Sequence, residues 1–237
     1  MTHIIAIAGP SCSGKTTIAC ELARALQARV QAASNGRHAQ TPDEVRSGQR
    51  ARAPDGPPGV AVIGLDSYYH DLSHLAPEEI PAQNLDEPGA IEHALLIEHL
   101  AALAGGQAID KPVYDHKTHS RSAERQRIEP ATFLIMEGLF ALYWEEIRRL
   151  TKTGVFIDAP HELCLARRSE RDRSERGRTS DEVTRRYNTM VAPMYDRHVL
   201  PTRRYALIIV NGADGAAISA AAIAAHVTGS AAGGCAT

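Results

Sequence analysis

Gly9-Pro10-Ser11-Cys12-Ser13-Gly14-Lys15-Thr16 matches the pattern GxxxxGK(S/T). The chemistry of that pattern is phosphate binding. Its glycines let the backbone wrap until several N–H groups converge on phosphate oxygens, and the start of a following helix adds partial positive charge. Lys15 is expected to reach the terminal phosphates of a nucleoside triphosphate, and the Thr16 hydroxyl to ligate Mg2+. The glycine spacing is not GxGxxG, which argues against a dinucleotide-binding turn. The DxxG spelled by Asp86 to Gly89 does not follow a strand, and no NKxD guanine-reading sequence is present.

Two acids stand directly after apolar, strand-like runs: Asp66 after residues 60–65 and Glu137 after 132–136. A carboxylate beside a phosphate loop can hold Mg2+ directly or through water. A second one, facing an acceptor, can take the proton of a hydroxyl as a phosphoryl group is transferred. Alone, either acid would read as a helix cap or a solvated turn; together in a phosphate-loop chain they read as metal and base residues. Asp66 is the better base, because Ser67, Tyr68 and Tyr69 follow it with hydroxyls and aromatic surface for an acceptor.

Residues 167–178, RRSERDRSERGR, hold six arginines and three acids. One reading is a solvated helix face with intrahelical ion pairs. Another is a nucleic-acid tract, but the interleaved acids make it a poor binder of a phosphate backbone. The reading that fits a phosphate loop is a lid whose arginines neutralise the transferring group, with Gly177 as hinge or helix exit.

These residues need a scaffold. Strands are expected at 3–8, 60–65, 132–136, 154–157 and 206–210, and helices at 15–28, 90–103, 141–150, 161–173, 181–191 and 213–227. Alternating helices and nearly continuous apolar strands indicate an α/β fold, a mainly parallel sheet with helices on both faces. Ligands of such sheets bind beyond the carboxyl ends of the strands, which singles out residues 9–16, Asp66, Glu137 and Asp158. Residues 31–58 lack periodicity and read as a surface insertion, and 228–237 as a frayed tail, leaving one domain over 1–227.

The 237 residues carry 26 Lys+Arg and 28 Asp+Glu, a formal charge of −2, so no global field draws nucleic acid or an anionic membrane. No apolar run approaches the ~18 residues of a membrane span, and a cytoplasmic protein is expected. Cys12, Cys20, Cys164 and Cys235 form no CxxC pair. The pairs His70/His74 and His116/His119 lack the further ligands a metal cluster needs.

Taken in order, GPSCSGKTT from Gly9 to Thr17, LDSYYHDL from Leu65, NLDEPGAIE from Asn84, PVYDHKTHSR from Pro112, MEGLFALY from Met136, the arginine segment, VAPMYDRHVLPTRRYA from Val191 and NGAD from Asn211 resemble the uridine kinase family of P-loop kinases. The resemblance implies a P-loop fold with a five-stranded sheet, a small β-hairpin and an arginine-rich lid over the acceptor site. It implies transfer of a phosphoryl group from ATP (or GTP), with Mg2+, to the 5′-hydroxyl of uridine or cytidine. On that resemblance Asp66 is the base, Asp86 binds the ribose hydroxyls, Tyr114 and His119 meet the pyrimidine, and Arg168 and Arg178 contact the substrate. Arg171 and Arg176 work in the lid, Asp214 lies near the adenine, Glu137 is the magnesium-associated acid, and the assembly is a homo-oligomer, a tetramer.

The chain departs from the family pattern at Leu85, where an aromatic is usual, at Arg186, where a substrate-contacting glutamine is usual, and at Leu207, where an aspartate is usual. Arg186 adds a fixed charge near the acceptor, which suits a phosphorylated or acidic substrate. Two other readings therefore stand beside the nucleoside kinase: a relative acting on another sugar alcohol, phosphoribulokinase-like or nicotinamide riboside kinase-like, and a nucleotide sensor without turnover. Retention of Lys15, Thr16, Asp66 and Glu137 argues against the sensor.

Overall fold

The computed structural model describes residues 2–37, 59–76 and 78–229. In chain order the elements are β1 His3–Ala8, α1 Lys15–Arg37, β2 Val60–Gly64, α2 His93–Ala104, β3 Ile109–Asp115, β4 Ser120–Ile128, β5 Phe133–Glu137 and α3 Glu145–Leu150. There follow β6 Thr153–Asp158, α4 His161–Arg176, α5 Ser180–Arg186, α6 Ala192–Met194, β7 Ile208–Asn211 and α7 Ala216–Val227. Five strands form a parallel sheet in the order β2-β5-β1-β6-β7. The other two, β3 and β4, form a separate antiparallel hairpin.

The apolar run of β1 is continuous because both its faces are buried. Ile4, Ala6 and Ala8 face a core built with α2, the hairpin and Phe140, whereas Ile5 and Ile7 face a second core built with α1 and α7. The period-two alternation thus divides one apolar strand between two layers, as in helix-covered parallel sheets. Ile18, Ala19, Leu22 and Leu26 supply the buried stripe of α1.

Several boundaries differ from the sequence expectation. Helix α1 runs to Arg37, so residues 31–37 of the expected insertion are helical; 38–58 lie outside the described residues. Beyond residue 28 the helix lies along α7, where Arg29 donates to the Ala224 carbonyl at 3.1 Å and to the Thr228 hydroxyl. The helix expected at 90–103 begins only at His93, because Pro88–Ala90 is a 3-10 turn and Ile91 bridges to Tyr69. Of the helix expected at 141–150 only α3 forms, and that expected at 213–227 begins at Ala216, after a turn through Asp214. The helix expected to end at Val191 instead continues through wide turns, Tyr187–Val191 and Tyr195–Val199, to a 3-10 segment, Leu200–Tyr205. Pro193 and Pro201 lack the N–H that a regular helix requires there, and the widened turns accommodate them. Of the expected tail, Thr228 and Gly229 are described and 230–237 lie outside the described residues.

The hairpin is fixed to the sheet near the end of β2. Arg121 donates to the carbonyls of Tyr68 at 3.0 Å and Tyr69 at 2.8 Å and pairs with Glu92. Leu65–Tyr68 is a 3-10 turn, so the strand expected to reach Leu65 ends one residue earlier and Asp66 sits on the turn.

Candidate active site

The carboxyl ends of β1, β2, β5 and β7 open on one cleft of about 1160 Å³. The loop after β1 forms its floor. Gly9 has φ 152°, and a Cβ there would meet the Ile157 carbonyl oxygen at 2.8 Å, so only glycine lets this loop pass β6. Gly14, with φ 97°, makes the matching turn into α1, and Cys12 adopts φ 63° between them. The loop thus wraps directly into the start of α1, the strand–loop–helix setting in which phosphates are bound. Lys15 is 9% exposed and its Nζ donates to the Pro10 carbonyl at 2.7 Å. Ser11 to Thr17 line the cleft, whereas Gly9 and Pro10 lie beneath it.

At the end of β5, Glu137 accepts the Thr16 hydroxyl at 3.0 Å. Burial raises the Glu137 pKa, and the charge of Asp66 raises it further, against the lowering effects of Lys15 and of the Thr16 bond. Asp66 lines the same wall of the cleft. An acid destabilised by burial and by a second acid, next to a hydroxyl, is an all-oxygen donor set that suits a hard divalent cation sharing its ligands with phosphates. Thr16, Glu137 and Asp66 therefore fit Mg2+. Among the described residues no group of three or more His, Cys, Asp or Glu is poised to hold a metal.

The cleft is also lined by Tyr69, Leu85, Asp86, His119, Arg168, Arg171, Arg178 and Arg186. Burial raises the pKa of Asp86, and Asp66 adds to the effect, while Arg168, Arg186 and Lys15 oppose it. Arg186 is shifted the other way: burial lowers its pKa, as do Arg178 and Arg168, and Asp86 and Asp172 oppose them. Acid and guanidinium each offset part of the other's desolvation. Tyr114 does not line the cleft. It packs behind it, 5.5 Å from the Tyr69 ring and 6.5 Å from the His119 ring. Its hydroxyl is buried with no hydrogen-bond partner among the described residues, and burial pushes its pKa up to about 12. His119 holds φ 53° in the hairpin turn.

The arginine segment is mostly helix α4, which ends at Gly177 in the left-handed conformation with φ 63°. Thr179 and Glu182 then form a capping box that starts α5. Arg168 donates to the Ser11 hydroxyl at 3.2 Å, and Arg167 to the Ser13 carbonyl at 3.3 Å, which ties the segment to the phosphate loop. Asp172 is the hub of the segment and was not singled out from the sequence. It receives Arg171 and Arg178, each at 2.9 Å, with Arg168 Nε 3.7 Å away. The Arg176 side chain lies outside the described residues.

Asp214 lines the cleft with Gly212 and Ala216. Asp158, singled out by its place after β6, does not line it. It pairs with Arg203 at 3.2 Å on another face. The sequence reading missed His116 and Lys117 in the cleft wall. The one available signal was Asp115, whose carboxylate accepts the Lys117 N–H at 2.8 Å in a side-chain-closed turn.

A sequence profile described as the phosphoribulokinase / uridine kinase family matches residues 4–219. The chain is 38% identical over 207 residues to a uridine kinase of Erwinia tasmaniensis, covering 87% of this chain and 85% of that one. It is 39% identical over 207 residues to a uridine kinase of Salmonella typhimurium, with the same coverage of 87% and 85%. Among solved structures, phosphoribulokinase from Rhodobacter spheroides superposes with a TM-score of 0.58 at 14% identity, covering 89% of this chain and 70% of that one, which supports the fold. With a phosphate loop, strand-end acids and a cluster of arginines on one cleft, the chain belongs to the phosphoribulokinase / uridine kinase family.

Proposed function

We propose that this chain transfers the γ-phosphoryl group of ATP (or GTP) to the 5′-hydroxyl of uridine or cytidine. The observation that carries the reading is the single cleft lined by the phosphate loop, Glu137, Asp66, Asp86, His119 and Arg168 together. The relatives named as uridine kinases, at 38% and 39% identity, supply the acceptor class.

In this reading the loop N–H groups and Lys15 hold the donor phosphates, with Asp214 beside the base of the nucleotide. Thr16, Glu137 and Asp66 hold Mg2+, which supplies charge neutralisation on the phosphates when bound. Asp86 accepts the ribose hydroxyls, and Tyr69 and His119 receive the pyrimidine, backed by Tyr114. Asp66 takes the proton of the 5′-hydroxyl. Arg168, Arg171, Arg176 and Arg178 bear on the charge of the transferring group, and Arg168 and Arg186 oppose the rise that burial gives the Asp86 pKa. No helix among the described residues is long and apolar enough to cross a membrane. A cytoplasmic location and a homotetrameric assembly belong to the same proposal and rest on the resemblance.

A second acceptor class is favoured by one feature. Arg186 lines the cleft together with Leu85, where the family usually carries glutamine and an aromatic, and a fixed cation there suits an anionic sugar. The test is ADP release from Mg2+-ATP with a panel of uridine, cytidine, adenosine, nicotinamide riboside, ribulose 5-phosphate and pantothenate. Turnover with uridine or cytidine supports the first reading. Turnover only with a phosphorylated acceptor selects the second.

A further inference from the structure

Lys111 is an unusual group for its place. It projects from β3, is 7% exposed, and its ammonium donates to the Ser67 hydroxyl at 2.7 Å and to the Pro112 carbonyl at 3.4 Å. Burial lowers its pKa, and no carboxylate offsets that effect. A buried ammonium paired with neutral oxygens is costly, and an apolar side chain of the same length would stabilise the fold. The residue it holds is Ser67, next to Asp66 on the Leu65–Tyr68 turn. The other end of this turn is already fixed: Glu92 N–H donates to the Tyr68 carbonyl at 2.8 Å, and Arg121 donates to the carbonyls of Tyr68 and Tyr69. Lys111 therefore braces the half of the turn that bears the acid. Its donated proton makes Ser67 an acceptor and restricts the Ser67 rotamer, and with it the backbone that aims Asp66.

We propose that Lys111 is a positioning residue for phosphoryl transfer, which acts through Ser67 on the turn that carries Asp66 and sets the rate of the chemical step without binding either substrate. The proposal rests on the reading of Asp66 as the base. A misplacement of about 1 Å at a reacting group costs up to roughly 10²-fold in rate, so a brace of this kind has a measurable effect.

The test compares Lys111→Met, Ser67→Ala, the double variant and Asp66→Asn with the unaltered protein, by steady-state kinetics with uridine and Mg2+-ATP and by thermal unfolding. Lys111→Met is expected to lower kcat about tenfold or more, to leave both KM values within about twofold, and to melt at the same or a higher temperature. Ser67→Ala, which leaves the ammonium without its hydroxyl, should lose both kcat and melting temperature. The double variant should recover the melting temperature but not kcat, with losses that are not additive. A Lys111→Met enzyme with unchanged kcat beside an inactive Asp66→Asn enzyme overturns the proposal. So does a double variant that recovers rate along with stability, since that marks a purely structural role. If Asp66→Asn itself turns over at the normal rate, the reading of Asp66 fails, and this proposal with it.

Discussion

Asp172, 1% exposed within α4, holds Arg171 at 2.9 Å on one carboxylate oxygen and Arg178 at 2.9 Å on the other. One buried acid thus fixes two guanidiniums that line the cleft from either side of the Gly177 turn. The arginine segment is therefore an organised corner rather than a row of surface charges.

Replacement Asp172→Asn should release both arginines. The partners are about one-third exposed, so the expected loss of stability is moderate, on the order of 1–3 kcal/mol, as for charged hydrogen bonds with some solvent screening. Turnover at saturating substrates should fall with it. Denaturant melts and initial rates check this, and an unchanged rate would show that Arg171 and Arg178 act without their hub.

Glu137 gives a pH-dependent prediction. Its pKa in the folded protein is raised by burial and by Asp66. Folding therefore favours the protonated form. That contribution is complete below the ordinary carboxylate pKa of about 4.3 and is lost as pH rises through the raised folded value. Glu137→Gln, whose amide oxygen can still accept from Thr16, removes the cost of burying this acid and should raise the melting temperature at neutral pH. The gain should shrink as pH falls to about 4. Calorimetry at the two pH values tests the sign; a lower melting temperature for the variant at neutral pH would mean that the attraction to Lys15 dominates. Activity should be largely lost in either case.

Asp86→Asn separates the two ends of the cleft. Losing a charged acceptor should cost about 1.5–3 kcal/mol in nucleoside binding, roughly a tenfold or greater rise in the acceptor KM. ATP affinity, measured by calorimetric titration, should stay within a factor of about two. A matching loss of ATP affinity would place Asp86 in the nucleotide half.

Lys15→Ala is the counterpart. Its ammonium donates to the loop carbonyl of Pro10. Its removal should weaken ATP binding by about 1.5–3 kcal/mol and leave the acceptor half intact. Equal ATP affinity in the variant would contradict its role.

Most of the scaffold was legible in the sequence because buried parallel strands leave continuous apolar runs, as in residues 3–8 and 154–157, and because the phosphate loop fixes its own context of strand, turn and helix. The acids after β2 and β5 followed from that topology. Asp158 did not: it is the last residue of β6, pairs with Arg203 and does not line the cleft. The extent of α1 depended on a contact with α7 that lies far away in sequence, and the continuation past Val191 depended on wide turns around Pro193, which helical periodicity does not encode. Asp172 was hidden for a related reason. An acid within an arginine run looks solvated in one dimension, and only the fold shows three guanidiniums closing over it. Tyr114 marks the reverse case, an aromatic whose type suggests ligand stacking but whose ring is packed behind Tyr69.

The most direct measurement is product identity. Purified protein would be incubated with Mg2+-ATP and uridine, and in parallel with 5′-deoxyuridine, with the reaction followed by 31P NMR. The account predicts uridine 5′-monophosphate in step with ADP from uridine, and no phosphorylated product from the 5′-deoxy analogue. Phosphate on another hydroxyl, or ADP formation indifferent to the nucleoside, would contradict it.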